Sequence, residues 1–411
     1  MTRPRTEDGT RALRDRLVGD LLAAGRIRTE RLAAAFRAVP RHLFLPGTDP
    51  AAAYQDVAIP TKWAADGRPI SSSSQPAIMA VMLDQLDVRP GQRVLEIGTG
   101  TGYNAALLAE LVGGSGAVTT VDIDADLVEQ AGRNLDAAGV GGVDVVRGDG
   151  SAGWPDAAPY DRIILTAAAR DLAPAWLEQL TAGGRLLLPL ALRGVQRAVA
   201  FRRSGDHLTS VSVVDCGFML LRGDLAGPEP FRPLDTAPGL FLDLDDPRPV
   251  DSAALLAALR AGPVRTTGSV PATPAELMGG LRLWLALHES GAGDLIALGA
   301  AADRPLVPVV VSHPGMAVTP VLVGDGGLAA LVPIDGVPGV LGVAVYGRGG
   351  DAPAATLLAR AREWDQAGRP SSAGLRIRAY PAGTRTPQAG PAVTVVDRPY
   401  TRFVLDRPDG G

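Results

Sequence analysis

Apolar and polar residues follow regular spacings along the first half of the chain. Short apolar runs at 94–97, 118–121, 143–146 and 162–165 are typical of buried strands. Residues 103–111 lie between the first two runs, and their apolar positions have helical spacing. Strands that alternate with helices in this way predict an α/β fold built on a largely parallel sheet.

The pattern changes towards the middle of the chain. Residues 199–202 and 208–214 alternate as an antiparallel pair of strands would. Thr273 and Glu276 form a capping-box motif, which predicts the start of a helix. A long helix is predicted at 354–366. Short Val- and Leu-rich runs or alternating segments lie at 306–311, 318–323, 328–332, 339–346, 375–380 and 401–405. This mixture predicts an additional C-terminal α+β domain with an antiparallel sheet.

Residues 224–250 separate the two patterns. They carry prolines interleaved with Gly, Asp and Glu, namely Pro228, Pro230, Pro233, Pro238, Pro247 and Pro249. Such a composition predicts a surface linker, with Phe241 and Leu242 packed as its anchors. The predicted organisation is a first domain at 1–223, the linker at 224–250 and a second domain at 251–411.

Composition limits the classes of function. The 411 residues suffice for two domains, and 46 % of them are hydrophobic, so a sizeable core is available. A net charge of -4 with interspersed charges gives no electrostatic case for nucleic-acid binding. No stretch approaches the roughly 20 apolar residues that span a membrane. The single cysteine, Cys216, excludes an intramolecular disulfide and predicts a reducing, cytoplasmic location.

The most informative stretch is the glycine turn that follows the first apolar run. Gly98, Gly100 and Gly102 alternate with Thr99 and Thr101 before the helix begins. Glycine lets the backbone approach a ligand closely, and a helix start presents free N–H groups to a polar one. The spacing differs from the G-x-G-x-x-G pattern of dinucleotide sites. An ordinary strand-to-helix turn is the structural alternative.

Three acidic residues mark the ends of successive predicted strands. Glu96 lies near the end of the first, Asp122 follows the second, and Asp149 with Gly150 follows the third. In sheets of this kind the strand ends form the binding crevice, where an acidic residue takes ribose hydroxyls. A carboxylate at the position of Glu96 suits an ammonium group better than a pyrophosphate.

Four serines, Ser71 to Ser74, precede Gln75-Pro76 and a predicted helix at 77–86. Two interpretations of them remain open. They form a flexible, low-complexity loop, or they are hydroxyl donors held where the helix begins. The position strengthens the second interpretation, because this helix leads directly into the strand of the glycine turn.

An ordered set of motifs carries a resemblance to a known family. The set comprises Val39-Pro40-Arg41, Ala53-Tyr54-Gln55-Asp56, Ile70 with Ser74-Gln75-Pro76, Val94 to Tyr103, Gly148-Asp149-Gly150, Ala158-Pro159-Tyr160-Asp161, Thr166 to Ala169, Gly183-Gly184-Arg185 and Leu188-Pro189. Together and in this order, they resemble the protein-L-isoaspartate O-methyltransferases. The resemblance covers residues 10–223.

The resemblance implies a fold and a cofactor. The fold is the Rossmann-like doubly wound sheet of methyltransferases that use S-adenosylmethionine. Glu96 is then expected to face the amino group of the cofactor's methionine part, Asp122 its ribose and Asp149 its adenine amine. The other residues expected at the cofactor are Ser73, Ser74, Gly98, Thr99, Gly100, Gly102 and Gly150.

The resemblance also implies a catalytic residue. In the family a serine directly before the helix lies beside the transferred methyl group and the acceptor carboxylate, and Ser74 stands at that position. Members usually carry Gly-Gln-Thr-Ile-Ser-Gln-Pro there, whereas this chain has Arg68-Pro69-Ile70 followed by the serines. The departure concerns the acceptor side and leaves the cofactor site unchanged.

The implied chemistry asks the protein mainly to position the reactants. A sulfonium methyl donor is already activated, so methyl transfer depends on holding donor and acceptor in line. A carboxylate, with a pKa of about 4, is ionised at neutral pH and needs no general base. No His/Asp pair or metal-ligand cluster stands near the motifs in sequence, which favours a carboxylate acceptor. Ser74 would orient that carboxylate by hydrogen bonding.

The C-terminal extension points to a more specialised acceptor. Three features are similar to extended actinobacterial relatives that occur with ribosomally made lanthipeptides and graspetides. They are the general length, the junction with Cys216-Gly217-Phe218 and Arg222-Gly223, and the ending Tyr400-Thr401-Arg402-Phe403-Val404. These relatives resemble tailoring enzymes that methylate an aspartate of a constrained peptide, giving aspartimide or isoaspartate. We therefore expect a modified precursor peptide as substrate, with residues 251–411 helping to bind it. The alternatives are repair of isoaspartyl residues in damaged proteins, a small-molecule acceptor, and a chain that only binds S-adenosylmethionine.

Overall fold

The computed structural model describes residues 4–65, 67–234, 239–246, 248–313, 315–386 and 393–407. The helices in these ranges are α1 (Pro4–Ala23), α2 (Glu30–Ala38), α3 (Pro50–Ala53), α4 (Pro76–Leu86), α5 (Tyr103–Val112), α6 (Ala125–Ala137), α7 (Pro174–Gln179), α8 (Ser252–Ala261), α9 (Pro274–Glu276), α10 (Arg282–His288), α11 (Ala300–Asp303) and α12 (Asp351–Gln366). A π-helical turn joins α9 to α10. The predicted capping box at Thr273 is confirmed, since its hydroxyl accepts from the Glu276 N–H.

The strands of the described ranges form one hairpin and two larger sheets. They are β1 (Ile59–Trp63), β2 (Pro69–Ser73), β3 (Arg93–Ile97), β4 (Ala117–Asp122), β5 (Val143–Arg147), β6 (Tyr160–Leu165), β7 (Leu180–Leu192), β8 (Val195–Ser204), β9 (His207–Asp215), β10 (Phe231–Pro233), β11 (Leu240–Asp243), β12 (Arg265–Pro271), β13 (Ala292–Leu298), β14 (Val311–His313), β15 (Met316–Gly324), β16 (Gly327–Pro333), β17 (Val340–Tyr346), β18 (Arg376–Pro381), β19 (Thr394–Asp397) and β20 (Thr401–Asp406). The hairpin is β1–β2.

The first sheet has the strand order β19-β20-β18-β9-β8-β7-β6-β3-β4-β5. Strands β3 to β7 pair in parallel, whereas β8 and β9 pair antiparallel. The central strand β3 is buried on both faces. Val94 packs in one core with Leu83 of α4 and Leu107 of α5, and Leu95 packs in another with Trp176 of α7. Helices on both faces of the parallel part of the sheet, β3 to β7, confirm the predicted α/β class.

The second sheet is antiparallel and has the order β10-β11-β13-β15-β16-β17-β12, with β14 paired to β15. Helix α12 covers it through Leu357 and Trp364, which are 0 % and 1 % exposed. This is the C-terminal α+β arrangement that the sequence predicts.

The end of the chain returns to the first sheet. Strand β18 pairs with β9, β20 pairs with β18 and β19 pairs with β20, so these three strands extend the first sheet. Buried ion pairs also join the two halves. Arg170, after β6, lies 3.0 Å from the Asp245 carboxylate, and Arg398 lies 3.1 Å from it. The predicted domain division at residues 223 and 251 stays a prediction. The structure shows in addition that the last strands of the chain belong to the first sheet.

The predicted linker contains two strands of the second sheet, β10 and β11. Leu242 and Phe241, expected as anchors, are 0 % and 5 % exposed. Strand β10 lies at the edge of the sheet and ends at Pro233, and edge positions tolerate proline. Pro238 and Pro247 lie outside the described residues. In the described part of the chain, no helix is long and apolar enough to cross a membrane.

Candidate active site

The glycine turn connects β3 to α5 at the carboxyl ends of the parallel strands. Gly98 and Gly102 have φ angles of 104° and 84°, which favour glycine. A Cβ on Gly98 would lie 2.5 Å from the hydroxyl oxygen of Thr166. That hydroxyl follows β6 and donates to the Gly98 carbonyl at 2.5 Å. The turn therefore requires glycine both for its backbone conformation and for its contact with the neighbouring strand end.

Asp122 ends β4 beside the glycine turn. Its carboxylate accepts hydrogen bonds from the backbone N–H of Gly100 at 3.0 Å and of Asp124 at 3.2 Å. Burial raises the pKa of Asp122, and the two backbone donors and Arg222 oppose this only in part. A carboxylate oxygen can accept more than one hydrogen bond. Asp122 is thus placed to receive hydroxyl groups of a ligand that lies against the turn.

Glu96 lies on β3 and has no exposed surface. Asn104 of α5 donates to one carboxylate oxygen at 2.7 Å, and the Thr120 hydroxyl of β4 donates to the other at 2.6 Å. Burial raises the pKa of Glu96 to about 7, although both hydrogen bonds act to lower it. The geometry gives Glu96 the role of joining three elements beneath the turn. The predicted contact with the cofactor's amino group stays a prediction that this enclosure does not favour.

Asp149 follows β5, the neighbour of β4. The two strand ends are joined by the Gly148 N–H, which donates to the Asp122 carbonyl at 3.0 Å. The Asp149 carboxylate accepts from the backbone N–H of Ser151 and of Asp224, each at 2.8 Å. Burial acts to raise the pKa of Asp149, but these hydrogen bonds outweigh it and hold the pKa below its usual value. Two carboxylates therefore lie at adjacent strand ends.

Two further residues expected at the cofactor are enclosed. The Thr99 side chain is hydrogen-bonded to the Thr120 hydroxyl at 2.8 Å, and Thr99 is 4 % exposed. A Cβ on Gly150 would lie 2.3 Å from Cγ2 of Ile97, and the Gly150 carbonyl accepts from the indole N–H of Trp176 at 2.8 Å. Thr99 and Gly150 are thus held by neighbouring elements, and their contact with a ligand stays a prediction.

The serines form a strand rather than a loop. Ser71–Ser73 belong to β2, which lies across the glycine turn. The Ser72 carbonyl is 3.6 Å from the position of a Cβ on Gly100, and the Ser71 hydroxyl accepts from Thr61 of β1 at 3.3 Å. The interpretation as a flexible loop is therefore wrong. The sequence did not reveal this strand, because an uninterrupted run of serines has no apolar period.

The hydroxyl groups of Ser73 and Ser74 differ in their contacts with Arg41. The guanidinium is fully buried and donates to the Ser73 hydroxyl at 3.4 Å and to the Ser74 carbonyl at 3.0 Å. It also donates to the carbonyls of Gln55 and Val57. The Ser73 hydroxyl is thus occupied and buried. Ser74 is half-buried, and its hydroxyl has no hydrogen-bond partner within the described ranges.

Lys62 is the only lysine of the sequence. From β1 its ammonium donates to Asp124 at 2.9 Å and to Asp126 at 2.7 Å, both at the start of α6. Arg222 reaches Asp124 from the segment after β9 at 2.7 Å. These pairs link the hairpin, α6 and the segment after β9 around the site. Sequence reasoning gave Lys62 no role, although its isolation among arginines was a usable signal.

The remaining candidate groups are metal ligands and the single cysteine. Among the residues that the structure describes, no three His, Cys, Asp or Glu side chains come together as metal ligands. Burial raises the pKa of the Cys216 thiol to about 12, so the group is a protonated thiol at neutral pH. Cys216 packs against the core that contains Val94.

Comparison with known proteins decides the family. A family model described as protein-L-isoaspartate(D-aspartate) O-methyltransferase matches residues 12–224, just over half of the chain. The chain belongs to this family. A protein-L-isoaspartate O-methyltransferase of Methanoculleus marisnigri is 40 % identical over 216 residues, which cover 53 % of this chain and 94 % of that one. The enzyme of that name from Hyperthermus butylicus is 39 % identical over 229 residues, covering 54 % and 92 %.

Structural similarity extends beyond the matched residues. A solved structure named protein-L-isoaspartate O-methyltransferase covers 89 % of this chain, and the match includes 96 % of that structure. The TM-score is 0.50 at 24 % identity, so the likeness concerns the fold alone. It shows that the first half and most of the C-terminal extension occur together in another chain that carries the family's name.

The cofactor of this family member is S-adenosylmethionine, as predicted. The residues present fit that group. The glycine turn brings the backbone close to where a ligand would lie, and Asp122 and Asp149 present carboxylates that are themselves held by backbone donors. Such carboxylates can accept from ribose hydroxyls and from an exocyclic amine. The individual contacts stay predictions.

Proposed function

We propose that the chain is a carboxyl O-methyltransferase that acts on aspartyl or isoaspartyl carboxylates of polypeptides. The observation that carries the proposal is the half-buried Ser74 directly after β2. The Ser72 carbonyl of β2 lies 3.6 Å from the position of a Cβ on Gly100, in a glycine turn with two carboxylates at adjacent strand ends. The names of relatives that are 40 % and 39 % identical support an acceptor of this class.

The residues of the chain act on the acceptor by orientation. S-adenosylmethionine supplies an activated methyl group on a sulfonium centre. The acceptor carboxylate is ionised at neutral pH, so no residue has to remove a proton. The Ser74 hydroxyl donates a hydrogen bond to one carboxylate oxygen and leaves the other in line for the methyl group. Arg41 holds the backbone at Ser74 in place through its hydrogen bond to the carbonyl.

We further propose that the acceptor is an aspartate of a constrained, ribosomally made peptide. The support is the long extension beyond residue 224, together with the resemblance to extended tailoring enzymes. After methylation, the backbone nitrogen of the residue that follows attacks the ester carbonyl. The aspartimide ring forms and methanol leaves. A lanthipeptide or graspetide precursor would hold such an aspartate in a fixed turn. The cytoplasmic location expected from the single cysteine stays a prediction.

Isoaspartate repair is the second candidate. The relatives' names favour it, and so does the solved structure of the same name that shares most of the extended fold. The extension therefore does not exclude repair. In repair, the methylated group is the isoaspartyl carboxylate, and the ring formed from it opens partly towards ordinary aspartate. The same site serves both reactions, and the acceptor distinguishes them.

Mass spectrometry of two peptides after incubation with S-adenosylmethionine tests the proposal. One peptide is linear and contains isoaspartate, and the other is macrocyclic and contains ordinary aspartate. Gain of a methyl group or loss of water on the macrocycle alone supports tailoring. Modification of the isoaspartyl peptide alone contradicts tailoring and supports repair. A chain that binds S-adenosylmethionine and modifies neither peptide contradicts both forms of the proposal.

A further inference from the structure

The β1–β2 hairpin contacts the edge of the second sheet through Arg68. Arg68 lies just before β2, and its guanidinium is 3.2 Å from the Glu229 carboxylate. The guanidinium carbon is also 5.8 Å from the ring centre of Phe231 and 5.9 Å from that of Phe241. Phe231 belongs to β10 and Phe241 to β11, the two strands at that edge. One arginine thus meets two aromatic rings and a carboxylate of the C-terminal half.

The two rings that Arg68 contacts lie on the same face of the second sheet. In the β10–β11 pair, Phe231 stands opposite Asp243 and Phe241 opposite Pro233, so both rings lie on one face. Phe241 is 5 % exposed, and β11 continues into the sheet by pairing with β13. A planar guanidinium stacks on aromatic faces more effectively than an ammonium does. The contact therefore ties the hairpin to the body of the second sheet.

The hairpin carries this contact to the proposed acceptor side. Lys62 fixes β1 to Asp124 and Asp126 at the rim of the cofactor site. Arg68 fixes the start of β2, and β2 runs across the glycine turn to Ser73 and the adjoining Ser74. The position of β2 over the turn is thus set from two directions. One is the cofactor rim and the other is the second sheet.

We propose that Arg68 is a positioning residue through which the second sheet fixes the hairpin and, with it, the acceptor side of the methyl-transfer site. The segment in which this chain departs from the usual family sequence begins at Arg68. The C-terminal half thereby influences which polypeptide is accepted through the position of the hairpin. This inference rests on the proposed methyl transfer to an aspartyl or isoaspartyl carboxylate.

Hydrogen exchange of the full-length protein, measured without an acceptor, tests the positioning role. In Arg68→Ala the amides of residues 59–73 should exchange faster than in the wild type, and those of α12 should not change. Phe231→Leu keeps an apolar contact but removes one ring, and it should produce the same pattern more weakly. Unchanged exchange in the hairpin of both variants would overturn the positioning role, whatever the acceptor is.

Kinetics test the consequence for the acceptor. Arg68→Ala should lower kcat/KM for the accepted peptide about three- to tenfold, mainly through KM, because a stacked cation contact of this size is lost. The affinity for S-adenosylmethionine, measured by calorimetry, should not change. Arg68→Lys keeps the charge beside Glu229 and should restore only part of the loss. Arg133→Ala, in an exposed pair with Glu129, is the matched control and should behave as the wild type.

The two kinds of failure are distinguishable. A wild-type enzyme that modifies neither test peptide contradicts the proposed function, and hydrogen exchange still decides whether Arg68 holds the hairpin. A hairpin that loosens in Arg68→Ala while kcat/KM for an accepted peptide stays unchanged overturns the influence on the acceptor. A loss of affinity for S-adenosylmethionine would assign Arg68 to the cofactor side instead and also overturn the inference.

Discussion

Asp122 in the first half and Asp294 in the second are both almost fully buried, at 8 % and 3 % exposed, yet their partners differ. Asp122 accepts hydrogen bonds from two backbone N–H groups at the end of a parallel strand. Asp294 is paired with the guanidinium of Arg282 and stands opposite Asp243 on the neighbouring strand. A buried charge usually requires a compensating partner, and the two halves supply different ones.

The difference separates a carboxylate that can still accept a hydrogen bond from a ligand from one that is held in an ion pair. Backbone donors stabilise Asp122 without occupying every lone pair, so a ligand hydroxyl can still be accepted. A guanidinium neutralises Asp294 and fixes it inside the second sheet. Burial and the neighbouring Asp294 charge raise the pKa of Asp243 to about 7. The proximity of these two carboxyl groups adds to the cost of leaving Asp294 without its guanidinium partner. We therefore expect mutations in the two halves to affect different measurements.

The largest expected effect is on stability. Arg282→Met should lower the free energy of unfolding by about 3–5 kcal/mol, because Asp294 is then a buried charge without a partner. The affinity for S-adenosylmethionine should stay unchanged, which urea denaturation and calorimetry on the same protein would establish. Arg265→Met is the control, since its pair with Asp351 is exposed and should contribute less than about 1 kcal/mol. Equal losses in both variants would break the comparison.

Glu96 is an exception in this comparison, because it lies in the first half and yet is an enclosed carboxylate. Its pKa is about 7 when folded and 4.5 when exposed, so the unfolded chain ionises first as the pH rises. The stability of the wild type relative to Glu96→Gln should therefore fall between pH 5 and pH 7, by about 3 kcal/mol at most, and then level off. Urea denaturation across this range measures it.

An exposed glutamate provides the control for this pH profile. Glu110→Gln, on the outer side of α5, should follow the wild type at every pH. Parallel profiles for Glu96→Gln and the wild type would show that burial does not raise the pKa of Glu96 in the folded protein.

A smaller effect is expected on binding. Asp122→Ala should weaken S-adenosylmethionine binding by about 1.5–3 kcal/mol, because the ligand hydroxyls lose a charged acceptor. The free energy of unfolding should change much less than in Arg282→Met. Asp136→Ala, on the exposed face of α6, is the control for the lost charge. Unchanged affinity by calorimetry would place Asp122 outside the site.

The parts of the molecule that could be predicted from sequence are those encoded locally. Strand β3, its glycine turn and α5 follow within twenty residues and show both apolar periods and glycine spacing. The acidic strand ends could be assigned to one crevice because parallel strands end at the same edge of a sheet. The cofactor followed from the ordered family motifs rather than from any one of these features.

The remaining features depend on contacts between distant residues. Arg41 meets Ser73, Lys62 meets Asp124, and Arg68 meets Phe231, and no local period records such pairs. The prolines of residues 224–250 predicted a linker, although an edge strand accommodates Pro233. The strand formed by Ser71–Ser73 lacked an apolar period, so composition favoured a loop.

One measurement tests the central claim that Ser74 orients the acceptor carboxylate. Ser74→Ala and Ser73→Ala would be compared for S-adenosylmethionine affinity and for single-turnover methyl transfer to the accepted peptide. The account predicts that Ser74→Ala binds the cofactor normally and transfers about 10- to 100-fold more slowly, since a hydrogen bond to a charged group is lost. It predicts a smaller loss for Ser73→Ala. Greater damage from Ser73→Ala, or normal transfer by Ser74→Ala, would contradict the assignment.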